Sequence, residues 1–381
     1  MRYLHNLSIG CARHPMVFVA VLCVALTALL SSCSTGLPAQ HEVQQGAESA
    51  LPAAYSIVFV IHGDGDYLYH DTSGNGYNAD EQALEGAKRI AQQNPRAEVF
   101  IFHQKPRRHF LLFFPLHDGE FYYYRSGRLI VNELYWRDGE ESRFLPEVEL
   151  YRRFRAVNHS GNASVFLYYG HEVPEFDGAG YDASSPDRTF TVHDLATGLR
   201  GFTRDSLRFD LMVLSTCFGG TPYTIGTLGS FARYIIASPE NLHLSYFDLH
   251  SLERLDLSLR DRDMSAFANQ FAHQAFARLT GEIQTAVSVA VYDVDRVQEF
   301  LHSVHDAYDN TLTALKRETQ TSMALIEHCD CADLPAYMLP TMNDGIHVLY
   351  CAARFGRLTH KQNHSGWECW AGERTAQPAS R

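Results

Sequence analysis

Six short apolar runs constrain this chain more than any other feature. They are Tyr55–Ile61 (YSIVFVI), Glu98–Phe102, Val165–Tyr169, Phe209–Ser215, Arg233–Ala237 and Thr285–Val291. Most are apolar on both faces, which suits strands buried on both sides of a sheet. Between them the period lengthens to that of a helix. Asp80–Gln93 carries Leu84, Ala87 and Ile90 on one face, with Asp80 as its expected N-cap. Leu145–Val157 and Val294–Leu315 are expected helices, and Asp263–Leu279 aligns Met264, Phe267, Phe271, Ala275 and Leu279 in a core stripe. Alternating strands and helices imply an α/β fold, a mainly parallel sheet with helices on both faces. An aromatic block at about 108–136 interrupts it, with turns at His117-Asp118-Gly119 and Ser126-Gly127. It is expected to form an inserted antiparallel β meander that extends the sheet.

The N-terminus stands apart. Arg2 and Arg13 precede an apolar stretch from Met16 to Leu30, shorter than a membrane span needs. Small residues follow, as in a secretory signal peptide over residues 1–32. Leu30-Ser31-Ser32-Cys33 resembles a bacterial lipobox, which implies lipidation of Cys33, anchoring in a bacterial envelope and, with Ser34 next, the outer membrane. Residues 33–54 are polar, small and Pro-containing, a flexible tether. An α/β domain is expected over 55–320 and a Cys-rich extension packed on it over 321–381. The whole chain has a formal net charge of −12, and the signal removes two arginines and no acid. With no basic stripe, nucleic-acid binding is not expected.

The eight cysteines divide by place. Cys11 and Cys23 leave with the signal, and Cys33 takes lipid. Cys329, Cys331, Cys351 and Cys369 are disulfide candidates in an exported protein. Cys329 and Cys331 are too close in sequence to pair with each other comfortably, so each is expected to pair with Cys351 or Cys369, in either connectivity. A zinc site helped by His328 is the alternative, which export disfavours. Cys217 is then the odd cysteine.

Cys217 closes the run Phe209–Ser215 and is followed by Phe218, Gly219 and Gly220. His171 closes the run Val165–Tyr169, after Gly170. Open α/β sheets collect ligands at carboxyl strand ends, so a thiol and an imidazole placed there are candidates for nucleophile and base. Only the thiolate attacks, and an imidazole can take its proton and later protonate a leaving amine. The turn at Phe218 is a candidate source of backbone N–H groups for an oxyanion. The alternative for Cys217 is a small buried hydrophobe.

At these residues the chain resembles the clostripain-like cysteine peptidases, relatives of the caspases and gingipains. IVFVIHGDGDYLY is similar to the family's first strand and acidic loop, with Asp64 and Asp66 at the matching positions. FLYYGHEV resembles the histidine strand, FDLMVLSTCFGG the nucleophile strand, and RYIIASPENL the strand after it. TAVSVAVYDVDRVQEFL resembles a later strand and helix, so the similarity spans about 55–315. The resemblance implies a caspase-like sheet, a peptide or protein substrate, and a dyad of His171 (acid and base) and Cys217 (nucleophile). Gly170, Glu172, Ser215, Phe218, Asp64 and Asp66 become candidates for substrate or oxyanion contacts; Asp64 and Asp66 equally suit capping of the following turn. Two positions depart from the family. Ser215 stands where an aspartate two residues before the cysteine selects cationic P1 side chains, and Glu172 stands where glycine follows the histidine.

No cofactor is expected. Some relatives use calcium, and Asp177, Asp182 and Asp187 lie in one loop, but their spacing fits no tight ligand loop and solvated acids are the expectation. Two other functions compete. Ser215–Gly219 resembles the nucleophile elbow of dienelactone-type α/β-hydrolases, which would need a downstream histidine such as His243, His302 or His305. A catalytically inactive envelope lipoprotein of peptidase fold is the other, and it predicts an inert Cys217.

Overall fold

The computed structural model describes residues 53–64, 68–70, 76–111, 114–137, 143–155, 164–203, 208–242, 247, 249–255, 263–297, 345–356 and 359. Cys33, Asp66, His243, His302, His305, Cys329, Cys331, Cys369 and most of the expected helix Val294–Leu315 lie outside them. The chain divides between Leu51 and Pro52, and every described element belongs to the second unit.

In chain order the elements are β1 (Tyr55–His62), β2 (Leu68–His70), β3 (Gly76–Asn78), α1 (Ala79–Gln93), β4 (Ala97–Gln104), β5 (His109–Phe110), β6 (Phe114–Pro115), β7 (Gly119–Arg125), β8 (Arg128–Tyr135) and α2 (Leu145–Phe154). Then follow β9 (Ser164–Tyr169), α3 (Val192–Phe202), β10 (Phe209–Ser215), α4 (Pro222–Leu228), β11 (Ala232–Ala237), α5 (Met264–Glu282), β12 (Val287–Asp293) and β13 (Ile346–Cys351). Nine strands form one sheet in the order β13-β12-β11-β10-β9-β1-β4-β7-β8. The five central strands, β11 to β4, are parallel, and the two at each flank are antiparallel. The aromatic block thus extends the sheet as the hairpin β7–β8, preceded by the small hairpin β5–β6.

Alternation along the strands splits the core into two layers. Ile57, Phe59 and Ile61 of β1 face Ala87 and Ile90 of α1 and Phe267 and Phe271 of α5. Val58 and Val60 face the other way, toward Val148 of α2, Leu195 and Leu199 of α3, and Ile225 of α4. Each such buried Val, Leu, Ile or Phe side chain contributes about 1.5–3 kcal/mol of transfer free energy, so both helical layers are held by the sheet rather than by helix propensity.

The sequence missed two helices. Thr191 and Asp194 form a reciprocal capping box at the start of α3, and Thr221 with Pro222 opens α4. Helix α1 has Asn78 at its N-cap, not Asp80; Asp80 lies in the first turn, and its carboxylate accepts from His103 Nε2 at 2.9 Å. Cys351 sits on β13 opposite Val287 as a free thiol, and its candidate partners Cys329, Cys331 and Cys369 lie outside the described residues.

Candidate active site

Strand register builds the site. Tyr169 on β9 stands opposite Ser215 on β10 and opposite Ile61 on β1, all running in the same direction. Two residues past Tyr169 is His171, two past Ser215 is Cys217, and three past Ile61 is Asp64. On the far side of β10, Leu214 pairs with Ala237 of β11, and Asn241 follows four residues later. Asp64, His171, Cys217 and Asn241 therefore leave four neighbouring carboxyl strand ends along one rim, in that order.

Two contacts connect the outer members to the inner ones. His171 Nε2 lies 2.8 Å from Asp64 Oδ2, and the Asp64 side chain is 1% exposed while that of His171 is 38% exposed. The Cys217 thiol donates to Asn241 Oδ1 at 3.1 Å. Asp64 thus holds one ring nitrogen, while the imidazole opens to the surface and the thiol on the next strand end is half-buried.

The backbone around the pair is tightly shaped. A Cβ on Gly170 would stand 2.8 Å from His62 Cβ and 3.1 Å from the His62 carbonyl oxygen, so only glycine lets β9 pass β1 there. Phe218, directly after the thiol, has φ 50, a left-handed conformation that costs a non-glycine residue about 1 kcal/mol. Such backbone is held by its surroundings, and the Phe218 N–H donates to the Glu240 carbonyl at 3.1 Å. That N–H is engaged, which removes it from the expected oxyanion donors in this arrangement. The Gly220 N–H is likewise given to the Ser238 carbonyl, at 2.7 Å.

Ser215 is fully buried, and its hydroxyl accepts from the Phe247 N–H at 3.1 Å. It anchors a neighbouring segment and is turned away from solvent. Glu172 is half-buried beside His171. Three residues further, the buried Glu175 accepts from the hydroxyls of Thr221 and Thr224, pinning the histidine loop to the start of α4.

Behind the rim lies a dry, charged layer that sequence reasoning did not find. His62 stacks on Tyr181 with ring centroids 4.2 Å apart, and its two nitrogens meet Gln104 Oε1 at 3.0 Å and the Tyr181 carbonyl at 3.1 Å. Burial, reinforced by the Arg137 charge, lowers its pKa to about 4, and with both nitrogens engaged inside the protein it is closed to substrate. Asp182 was expected to be a solvated loop acid. It is instead fully buried, accepting from Arg137 Nη1 at 3.1 Å and Arg188 Nη1 at 2.8 Å. Arg188 also reaches Asp118 at 3.1 Å, and Asp118 accepts from the Arg137 N–H. This closed ring of two acids and two arginines locks the loop after His171 onto the ends of β7 and β8. Asp177 and Asp187 are exposed, and among the described residues no group of three His, Cys, Asp or Glu side chains could hold a metal ion.

One strand beyond β1, a cavity of about 170 Å³ opens at the end of β4, lined by Asp80, His103, Lys105, Arg108 and His117 among others. Burial disfavours charge on His103, but its hydrogen bonds to Asp80 and Glu120 outweigh that and raise its pKa.

A mainly parallel centre presenting a thiol and an imidazole on adjacent strand ends has the architecture of a cysteine peptidase. Residues 161–340 match the peptidase C11, or clostripain, family. That segment contains β9 and β10 and so both His171 and Cys217, and the match supports a cysteine peptidase, a hydrolase. A search among curated proteins finds no match. Among solved structures the chain is similar to a secreted C11 cysteine protease from Bacteroides thetaiotaomicron, "iotapain", at 10% identity over 72% of this chain and 73% of that one, with a TM-score of 0.44. A secreted C11 cysteine protease of that organism in complex with an irreversible peptide inhibitor is 11% identical over 68% and 70%, with a TM-score of 0.46. An inactive zymogen C11 protease from Parabacteroides distasonis is 15% identical over 77% and 75%, with a TM-score of 0.43.

Proposed function

We propose that this peptidase cleaves polypeptides with Cys217 as nucleophile, His171 as acid and base, and Asp64 as the group that orients His171. The observation that carries the reading is the shared register of β9 and β10, which sets the two side chains at neighbouring strand ends. With Nε2 directed to Asp64, Nδ1 is the nitrogen that exchanges protons with the thiol. Nδ1 takes the thiol proton and sulfur attacks the scissile carbonyl carbon, leaving a tetrahedral oxyanion. The intermediate collapses to a thioester as Nδ1 returns the proton to the departing amine. Water, deprotonated at the same nitrogen, then releases the acid and restores the thiol.

Specificity in this reading does not follow the family's cationic P1 preference. Ser215 carries no charge, and its hydroxyl is committed to Phe247. We further propose that Cys33 is lipidated and holds the enzyme at a bacterial outer membrane, by the likeness of Leu30–Cys33 to a lipobox.

A P1-varied panel of peptidyl electrophiles that trap thiols tests the chemistry. Wild type should label at one site, and Cys217→Ala should not label. Full activity in His171→Ala would reject the dyad; in that case the α/β-hydrolase reading, with a downstream histidine, would take its place.

A further inference from the structure

We propose that the hairpin β5–β6, with Trp136, is a membrane-docking surface that inserts into a bilayer of anionic phospholipids. The hairpin carries the largest exposed apolar groups in its region: Phe110 at 58%, Leu111 at 67% and Phe114 at 63% exposure. Phe110 and Phe114 face each other in register. At the base, Leu116 donates its N–H to the Arg108 carbonyl at 3.0 Å. His117 packs on Trp136 with ring centroids 4.2 Å apart, and Trp136 is itself largely exposed. Tryptophan in such a place suits the boundary between acyl chains and headgroups. Exposed apolar patches of this kind mark interaction sites rather than ordinary surface.

Charge selects the occupant. Arg107 and Arg108 immediately precede β5, and both are exposed. They form a cationic collar at the foot of an apolar tip, the pattern that binds anionic headgroups while the tip enters the acyl region.

The position of the hairpin gives the docking a consequence. β4 is parallel to β1, and the Gly63 N–H donates to the Gln104 carbonyl at 2.7 Å, so their carboxyl ends lie side by side. The hairpin rises from the end of β4, on the rim that carries Asp64, His171 and Cys217. Docking would therefore turn the catalytic rim toward the bilayer and favour polypeptide segments at the membrane surface. It uses no part of the lipid proposed on Cys33, and it holds or fails independently of the catalytic assignment.

The test reconstitutes the full-length chain into phosphatidylglycerol–phosphatidylethanolamine vesicles with brominated acyl chains, which quench tryptophan at the hydrocarbon boundary. The N-terminal segment is common to all variants, so differences read the hairpin. Bromine quenching in wild type should fall at least about twofold in Trp136→Phe and in the double variant Phe110→Ser/Phe114→Ser, because each exposed phenylalanine supplies more than a tenfold share of partitioning, roughly. Arg107→Gln/Arg108→Gln should weaken quenching on these vesicles but not on phosphatidylcholine. All substituted side chains are exposed, so folding is retained. Equal quenching in wild type and Phe110→Ser/Phe114→Ser would overturn the proposal. So would a dimer that this double variant abolishes, with no bromine quenching in wild type, which would assign the surface to a second copy.

Discussion

His171 Nε2 lies 2.8 Å from Asp64 Oδ2, and the carboxylate is buried while the imidazole opens to the surface. A carboxylate in that position fixes the tautomer and stabilises the imidazolium formed when the thiol loses its proton. Asp64→Asn keeps the shape and removes the charge. It is expected to lower kcat by roughly 10²-fold or more with KM little changed. A fall in kcat of less than about threefold would reduce Asp64 to a structural cap, since proton transfer aided by a positioned group contributes far more.

The thiol has a partner of its own in Asn241 Oδ1, at 3.1 Å. Replacing that oxygen with a carboxylate, Asn241→Asp, places a negative charge beside the sulfur and disfavours the thiolate. The rate of labelling by a small neutral electrophile should then rise through a midpoint about one pH unit or more above that of wild type. A midpoint that does not move would show that Asn241 faces the thiol only in the resting arrangement.

Much of this rim was legible in the chain itself. FDLMVLS is apolar on both faces, so a buried strand ending at Ser215 could be read directly, and the same holds for β9. Asn241 obeys the same strand-end rule after Ala232–Ala237, and only the absence of an obvious chemical role hid it. The pairing of Asp64 with His171 was not legible, because it depends on β1 lying beside β9, and the 106 intervening positions carry no sign of that adjacency. Asp182 misled for a related reason. Its loop is rich in Gly, Ser and Pro, which suggests solvent, but its partner Arg137 lies 45 residues away, just past the end of the meander. Asp80 was misplaced by two residues because first-turn acids and N-caps share the same composition.

That buried ring makes a strong prediction. Asp182→Asn leaves Arg137 and Arg188 facing each other across a site sealed from water. Breaking one partner of a buried ion pair costs about 3–5 kcal/mol. Urea unfolding should show that loss, and the variant should also lose activity at subdenaturing urea before it unfolds, because the ring anchors the loop that follows His171. A loss below about 1 kcal/mol, the value of a surface pair, would mean the ring is open to solvent.

His62 sets the acid limit of stability. Burial and the Arg137 charge lower its pKa from 6.5 to about 4 in the folded chain. Between those values the unfolded chain binds a proton that the native chain refuses. Stability is therefore undiminished above pH 6.5 and falls as pH drops toward 4, by about 3 kcal/mol in all. His103 acts with the opposite sign: its raised pKa adds stability at low pH, which is lost as pH rises through the folded value. The wild-type curve mixes the two, so the informative quantity is the difference between wild type and His62→Gln. The variant should be less stable at pH 7, where it loses the stacking on Tyr181, yet its unfolding free energy should change less between pH 6.5 and 4 than that of wild type. Equal acid slopes in the two proteins would show that His62 takes up its proton in the folded state as readily as in the unfolded one.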